Sequence, residues 1–391
     1  MKLKLQQLLG LAWCLGMTPG AMTAEMRTLP ASSNVVNAEY PRVDSELRVT
    51  FRLKAPEAKK VQLRGGAGLV KDVLDLERNA EGVWSVTSSP AVPGFHYYWF
   101  VVDGLNVNDP GSYSYFGYGR ETSGIEVPES GGDFYEPKEG VPQGAVREHR
   151  YLSKLTGKWR RAYVYTPPGY DNRRTRYPVL YLQHGAGENE RGWIQQGRAH
   201  IILDNLLAAR KAKPMILVVD TGYAVRPNAA PATNAPAGPR FNAVISAFPD
   251  VMLQELIPSI DTNYRTLANR KSRAMAGLSM GSMQTLQIAL GHLDTFSWIG
   301  AMSGPPRQNF DVKTAYGGVF VNAATFNQKV YLLWLGAGTA EAQFHQATVA
   351  MHEALTQAGI KNVFFSSPDT DHEWQTWRRS LHDFAPRLFK D

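Results

Sequence analysis

Short apolar runs alternate with helix-compatible segments throughout the C-terminal part of the chain, and this alternation limits the fold more than any other feature. The strand candidates are residues 161–166, 179–182, 215–219, 272–276, 298–302, 330–335 and 363–366. The helix candidates are residues 201–212, 251–263 and 283–290. Because parallel strands need long crossover connections, which are usually helices, the alternation predicts an α/β domain with a mainly parallel sheet covered on both faces.

A Gly-x-Ser-x-Gly turn lies between the strand candidate 272–276 and a helix candidate that begins at Ser282. Its residues are Gly277, Leu278, Ser279, Met280 and Gly281. A serine hydroxyl is a poor nucleophile at neutral pH, so the protein must expose it, place a base beside it and stabilise the oxyanion that forms. A sharp strand–turn–helix connection exposes its serine in this way. Ser279 is therefore predicted to be the nucleophile of an α/β-hydrolase.

The base and the acid are expected in the loops that follow the last two strand candidates, because α/β-hydrolases carry the triad in the order serine, acid, histidine. Among the nine histidines, His372 directly follows the final strand candidate and is predicted to be the base. Glu341 is the carboxylate in the turn after residues 330–335 and is the predicted acid. It could instead serve only to complement a helix dipole, and Asp369 and Asp371 are the alternative acids.

Two backbone amides are predicted to form the oxyanion hole. Met280 follows the nucleophile and supplies the first amide. The second is predicted to be that of Ala186, in the loop after the strand candidate 179–183, with Gly187 as the alternative. His184 lies in the same loop and is expected to brace it through hydrogen bonds.

The preceding part of the chain has a different character. Residues 39–128 alternate between apolar and polar positions, contain turn signals and lack a helix-length period, which predicts a small β-sandwich. Residues 129–147 are rich in Gly, Pro and Glu and are predicted to be a linker, so that residues 148–391 form the catalytic domain. Within that domain, residues 222–248 fit neither period; they are expected either to border the substrate cleft or to be a disordered insertion.

The first 24 residues have the order of a secretory signal, with two lysines ahead of a short apolar run and small residues up to Ala24. The apolar run is too short to span a bilayer, so we expect a secreted or periplasmic protein. Cys14, the single cysteine, lies in this leader, which excludes a thiol nucleophile and a disulfide in the mature chain. The net charge of +7 is scattered and does not favour nucleic acid as a partner. No metal-ligand spacing is present, and no cofactor is predicted.

The motifs also resemble known families. Residues 93–98 and 102–110 resemble early-set immunoglobulin-like modules related to family 48 carbohydrate-binding modules. Residues 163–170, 177–185, 274–281 and 371–374 together resemble carbohydrate esterase family 1, and most closely bacterial feruloyl esterases with an early-set module ahead of the catalytic domain. The resemblance implies that Ser279, His372, Ala186 and Met280 take the family's catalytic roles. The acid of that family is commonly aspartate, whereas this chain has Glu341.

The resemblance implies hydrolysis of feruloyl esters on plant cell-wall xylan, with an ester-decorated polysaccharide, oligosaccharide or small aromatic ester as substrate. Trp193 and Trp374 lie near the oxyanion and histidine loops in sequence, and either could flank an aromatic acyl group or pack in the core. An acetylxylan esterase or a siderophore esterase would use the same triad. A glycan-binding protein with a lapsed esterase domain is the alternative of another class.

Overall fold

The structure is a computed structural model that describes residues 28–66, 68–227, 245–304 and 310–390. The predicted leader, residues 1–24, lies outside the described residues. So do residues 228–244, which make up most of the segment 222–248.

The N-terminal region consists of short antiparallel strands. They are β1 (Leu29–Pro30), β2 (Arg42–Val43), β3 (Val49–Lys54), β4 (Val61–Gly65), β5 (Leu74–Asp75), β6 (Glu77–Arg78), β7 (Val83–Thr87), β8 (Gly94–Val102), β9 (Leu105–Val107), β10 (Ser114–Gly117) and β11 (Arg120–Val127). One sheet has the order β1-β2-β3-β7-β6, and the other has the order β10-β11-β8-β4-β5, with β9 paired to β8. The predicted β-rich character of residues 39–128 is confirmed, and the immunoglobulin-like topology stays a prediction.

Both sheets contribute to one hydrophobic core. Alternate residues of β3, including Val49 and Phe51, face this core, while the residues between them are more exposed. Tyr98 and Phe100 of β8 meet them from the other sheet, and the ring centroids of Phe51 and Tyr98 lie 4.8 Å apart. Period-two alternation therefore buries one face of each sheet against the other.

The C-terminal region contains an eight-stranded sheet of order β12-β13-β15-β14-β16-β17-β18-β19. Its strands are β12 (Ala145–Ser153), β13 (Lys158–Thr166), β14 (Val179–Gln183), β15 (Ile216–Asp220), β16 (Arg273–Leu278), β17 (Trp298–Met302), β18 (Leu332–Gly338) and β19 (Val363–Ser367). Strands β14 to β19 pair in parallel, and β12 and β13 form an antiparallel edge. The predicted mainly parallel sheet is confirmed. Strand β12 begins inside the predicted linker. Its start was not recognised in the sequence, because β12 is an edge strand and most of its residues are polar, which hides the strand period.

Helices cover both faces of this sheet. They are α1 (Gly192–Gln195), α2 (Ala199–Ala208), α3 (Phe248–Val251), α4 (Ile257–Asn263), α5 (Met280–Gly291), α6 (Ala323–Lys329), α7 (Ala342–Gln357) and α8 (Trp374–Phe384). A π-helical turn, Met252–Leu256, joins α3 to α4. Short 3₁₀ turns occur at Gly132–Tyr135, Arg270–Ser272, Ala315–Gly318 and Ala385–Arg387.

The first four residues of the central strand β14, Val179 to Leu182, lack the polar–apolar alternation of a half-exposed strand. Val179 and Tyr181 belong to a core with α3, α4, α5 and α7, whereas Leu180 and Leu182 belong to a second core with α2 and α8. A strand buried on both faces needs apolar side chains in both directions, so it lacks the alternation of a half-exposed strand. The result is an α/β-hydrolase-like layer arrangement.

The two regions pack against each other through the second core. Phe95 and Tyr97 of β8 belong to it together with residues of α2 and α8. Arg378 of α8 donates from its two Nη atoms to the Glu126 carboxylate of β11, at 2.6 and 3.0 Å, and both side chains are buried. The β-rich region is therefore joined to the sheet domain by apolar packing and by a buried bidentate ion pair.

Candidate active site

Ser279 stands in a strained turn at the carboxyl end of β16. Its backbone has φ 51° and ψ −114°, and α5 begins at the next residue. A Cβ on Gly277 would lie 2.5 Å from the backbone of Gly281, and a Cβ on Gly281 would lie 2.6 Å from the carbonyl oxygen of Gln183. The two glycines are therefore required by close backbone contact, and the turn projects the serine side chain from the sheet edge.

Three side chains from separate loops meet at this serine. The Nε2 atom of His372 lies 2.9 Å from Ser279 Oγ, and its Nδ1 atom lies 2.8 Å from Glu341 Oε2. Because the buried Glu341 carboxylate accepts from Nδ1–H, Nε2 is left as the acceptor for the serine hydroxyl proton. The structure thus brings together the three residues that the chain order selected.

The alternative acids do not reach the imidazole. The Asp371 carboxylate accepts from the backbone amide of His372, and no contact joins the Asp369 side chain to the ring among the residues that the structure describes. The ring of His372 instead stacks on Phe344 at 4.5 Å between centroids and meets the edge of Trp377 at 5.1 Å. Ring packing and the Glu341 contact together fix the orientation of the imidazole.

Both amides expected to form the oxyanion hole lack an acceptor among the described residues. Within the described parts of the chain, neither Met280 N nor Ala186 N donates to another protein group. Gly187 N, the alternative, donates to Tyr223 Oη at 2.7 Å and is thus occupied. The geometry favours Ala186 over Gly187 as the second donor.

His184 supports the same loop from inside the protein. Its Nε2 atom accepts from Gly222 N at 3.0 Å, which leaves Nδ1–H to donate to the carbonyl of Gly185 at 2.8 Å. Burial lowers the pKa of His184 to about 4, so the ring stays neutral at ordinary pH. These contacts agree with a bracing role.

A pocket of about 310 Å³ opens beside Ser279. It is lined by Gly66, Gly68, Phe95, His96, Tyr97, Tyr118, Gly185, Ala186, Glu188, Leu278, Ser279, Asp371, His372, Glu373, Trp374 and Trp377. Trp374 forms part of this wall. Trp193 lies behind it, fully buried, with its indole edge against Trp374 at 5.4 Å and its Nε1 donating to the Gln183 carbonyl at 2.9 Å. Both tryptophans lie close in sequence to a predicted catalytic loop, so the sequence could not distinguish the residue in the pocket wall from the one in the core.

Two carboxyl groups of the pocket wall, those of Glu188 and Glu373, were not predicted from the sequence. Burial raises the pKa of Glu188 to about 7, and Tyr97 Oη donates to it at 3.0 Å. Burial also raises the pKa of Glu373, whose carboxylate lies 3.4 Å from His96 Nδ1. Both contacts come from β8 of the N-terminal region, so a search within the catalytic motifs could not find them.

A larger depression of about 760 Å³ lies beside Trp159 and Tyr223, but neither Ser279 nor His372 lines it. Among the described residues, no group of three or more His, Cys, Asp or Glu side chains could hold a metal ion. The helices described here include none that is long and apolar enough to cross a membrane.

The comparison with protein families agrees with this geometry. The model of the Esterase family, described as "Putative esterase", matches residues 153–388. The chain belongs to the esterase family. The matched residues of the esterase include Ser279, Glu341 and His372, whereas β1 to β11 precede the match.

Several known proteins are similar to this esterase. It is 38% identical to the endo-1,4-beta-xylanase/feruloyl esterase of Xylanibacter ruminicola over 367 residues, which cover 93% of this chain and 47% of that protein. A carbohydrate esterase family 1 ferulic acid esterase from Anaeromyces mucronatus, solved with ferulic acid, has a TM-score of 0.57 at 25% identity and covers 68% of this chain and 98% of its own. The predicted resemblance to carbohydrate esterase family 1 is thereby confirmed.

The fold of the enterobactin esterase from Shigella flexneri is also similar, with a TM-score of 0.60 at 18% identity over 87% of this chain and 92% of that one. The chain spans about half or less of the length of the curated relatives that it matches.

Proposed function

We propose that this esterase is a secreted serine hydrolase that cleaves feruloyl esters on plant cell-wall xylan. The observation that carries the proposal is the chain of hydrogen bonds from Ser279 through His372 to Glu341, beside an aromatic-lined pocket. Within the described residues, the amides of Met280 and Ala186 have no acceptor of their own. The relative from Xylanibacter ruminicola is named endo-1,4-beta-xylanase/feruloyl esterase, and the esterase from Anaeromyces mucronatus was solved with ferulic acid. Both names support the choice of acyl group.

The proposed reaction follows from the geometry. Ser279 Oγ attacks the ester carbonyl carbon while His372 Nε2 takes the hydroxyl proton, and Glu341 stabilises the imidazolium. The oxyanion accepts hydrogen bonds from the amides of Met280 and Ala186. The bond between the acyl carbon and the alcohol oxygen then breaks, and His372 gives the proton to that leaving oxygen, which leaves the acyl group on Ser279 Oγ. Water repeats the attack on the acyl-enzyme and releases the free acid and Ser279.

The pocket favours an aromatic acyl group over acetate. Its wall includes Phe95, Tyr97, Tyr118, Trp374 and Trp377, and a volume of about 310 Å³ far exceeds that of an acetyl group. Aromatic side chains offer flat apolar surface with specific edge and face contacts for a cinnamoyl ring. A dihydroxybenzoyl ester of the siderophore type has a similar ring and remains the second candidate, whereas acetyl esters would leave most of the pocket empty.

Further parts of the proposal concern the whole chain. Residues 1–24 are proposed to be a signal that directs secretion, residues 39–128 an immunoglobulin-like module, residues 129–147 a linker whose last three residues already belong to β12, and residues 148–391 the catalytic domain. A glycan-binding protein without activity would have no need of a serine held in a strained backbone conformation beside a correctly bonded histidine.

The decisive experiment is incubation of the purified chain with feruloylated and acetylated arabinoxylan, with the released acids measured by chromatography. We expect release of ferulate with much less acetate. Ser279→Ala should abolish the release, and Glu341→Ala should lower it far more than Asp369→Asn. Cleavage of a siderophore ester without release of ferulate would overturn the substrate, and activity that survives Ser279→Ala would overturn the mechanism.

A further inference from the structure

The loop that presents the Ala186 amide is a tight turn, and two hydrogen bonds join its end residues, Gly185 and Glu188. Glu188 N donates to the carbonyl of Gly185 at 3.3 Å, and Gly185 N donates to the Glu188 carboxylate at 3.4 Å. Ala186 and Gly187 are the central residues, and Gly187 has φ 81°, a conformation that favours glycine. The direction of the Ala186 amide therefore depends on how this turn is held.

The β-rich region holds the turn from outside the catalytic domain. Gly119 N, in the hairpin between β10 and β11, donates to the carbonyl of Gly187 at 2.8 Å. Arg191, which follows the turn, forms an ion pair with Glu121 of β11. Both partners precede the residues that the family model matches.

Tyr97 of β8 makes the most buried of these contacts. Its hydroxyl accepts from Gln196 Nε2 at 2.6 Å and from Trp374 Nε1 at 3.3 Å. Since both of these groups can only donate, the phenolic proton is available to an acceptor, and Glu188 Oε1 at 3.0 Å is nearer than the Phe116 carbonyl at 3.4 Å. One hydroxyl thus ties the Glu188 side chain to α8 and to the segment that joins α1 to α2.

We propose that Tyr97 and Glu188 are positioning residues for the oxyanion hole, through which the β-rich region holds the Ala186 amide in its catalytic orientation. The proposal rests on the proposed serine-hydrolase function. Neither residue needs to touch the reacting atoms, because Glu188 bonds the amide of Gly185 and so acts one residue away from the donor. An oxyanion donor is effective when it is fixed before the charge develops, so a turn that is free to rotate would weaken catalysis without weakening substrate binding.

The test compares Tyr97→Phe with Tyr98→Phe. Tyr98 is the next residue of the same strand and is also buried, but its hydroxyl bonds Asp109 within the β-rich region, so it is a control for loss of a buried phenolic hydrogen bond. Substrates are p-nitrophenyl acetate, whose acyl group does not fill the pocket, and methyl ferulate. We expect Tyr97→Phe to lower kcat about tenfold for both esters with little change in KM, and Tyr98→Phe to leave both constants near those of the wild type.

Phenylboronic acid provides a readout that a merely structural role would not move, because it forms a tetrahedral adduct with a catalytic serine. Its inhibition constant should rise about tenfold in Tyr97→Phe, in parallel with the loss of kcat/KM. Glu188→Gln keeps an oxygen that can accept from Tyr97 and should retain more activity than Glu188→Ala.

Three outcomes would overturn the proposal: wild-type kcat in Tyr97→Phe, an increase in KM for methyl ferulate alone, or equal losses in Tyr97→Phe and Tyr98→Phe. The second outcome would indicate direct contact with the acyl group. If Tyr97→Phe is not folded, the order of activity between Glu188→Gln and Glu188→Ala decides the matter in the same assays. Failure of the proposed function is recognised separately, since wild type and Ser279→Ala would then hydrolyse p-nitrophenyl acetate equally.

Discussion

Ser303 holds the Glu341 carboxylate on the side away from His372. Its hydroxyl donates to Glu341 Oε1 at 2.7 Å, and Gly338 N donates to the same oxygen at 2.8 Å, so that Oε2 is left for the imidazole. Ser303 itself has φ 53° and accepts from Trp377 Nε1 at 3.1 Å. Left-handed backbone at a non-glycine residue persists where the surroundings hold it, and here those surroundings orient the acid of the proposed triad.

Glu188 leads to a prediction at the residue scale about the pH dependence of stability. Its folded pKa of about 7 lies above the ordinary value of 4.5, so the folded state favours the protonated carboxyl. The stabilisation is complete below the unfolded pKa and is lost as the pH rises through the folded one. Tyr97, Tyr118 and Tyr223 face this carboxyl, and none carries a charge near neutral pH.

We therefore expect the free energy of unfolding of the wild type to fall by about 2 to 3 kcal/mol more than that of Glu188→Gln between pH 5 and pH 8, because glutamine mimics the protonated form at every pH. Urea titrations of both proteins at the two pH values measure this difference. Parallel pH dependences would show that the carboxyl has an ordinary pKa.

The unit β16–turn–α5 shows at the element scale how backbone contact excludes side chains. Gly281 lies in the first turn of α5, where an added Cβ would meet the carbonyl oxygens of Gln183 and His184, both at 2.6 Å. Those carbonyls belong to β14 and to the loop that follows it, so the helix can approach the sheet only through a residue without a side chain. At the other end of α5, a Cβ on Gly291 would meet no atom within 4 Å.

This contrast predicts opposite effects of one substitution at the two ends of α5. Gly281→Ala should lower Tm by several degrees and remove most esterase activity, since the backbone of the nucleophile turn must shift to accept the Cβ. Gly291→Ala is the matched control and should leave Tm unchanged or slightly raised, because alanine favours the helix by up to about 1 kcal/mol. Differential scanning calorimetry measures the Tm of both variants. A wild-type Tm for Gly281→Ala would contradict the close contact of Gly281 with the carbonyl oxygens of Gln183 and His184.

At the scale of the whole molecule, the β-rich region and the sheet domain share buried charge as well as apolar surface. The Arg378 guanidinium is fully buried and bonds the carbonyl of Gln196 in addition to Glu126, and Arg198 also approaches Glu126 at 3.2 Å. Desolvation makes each of these charges costly when its partner is missing. The pair therefore makes the docking of the two regions specific.

Arg378→Met should lower the free energy of unfolding by about 3 kcal/mol, because the Glu126 carboxylate would stay buried with one weaker partner. Adding Glu126→Gln should recover part of the loss. Arg387→Met removes the exposed pair with Asp383 near the end of the same helix and should cost less than about 1 kcal/mol. Urea unfolding measures the three variants, and equal losses in Arg378→Met and Arg387→Met would contradict the special role of the buried pair.

The sequence alone predicted seven of the eight C-terminal strands, part of the helices, and Ser279, Glu341 and His372 as the triad candidates. Each candidate lies at or within five residues of the end of a strand of the parallel sheet, and parallel strands bring their carboxyl ends to one edge, so local pattern and chain order were enough to select the three residues. Gly277 and Gly281, which flank Ser279, likewise allowed the sharp turn to be predicted from residues that are close in sequence.

Tertiary structure decided those contacts between distant residues that no motif at a strand end marks. Tyr97 meets Glu188 across 91 positions, and Ser303 meets Glu341 across 38, so no local pattern links them. Trp193 and Trp374 each lie close in sequence to a predicted catalytic loop, and only packing places Trp193 behind the pocket wall and Trp374 in it. Burial acts on side chains according to their neighbours in space, which is why the sequence could select the three residues of the proposed triad but not the contacts that hold the loop of Ala186.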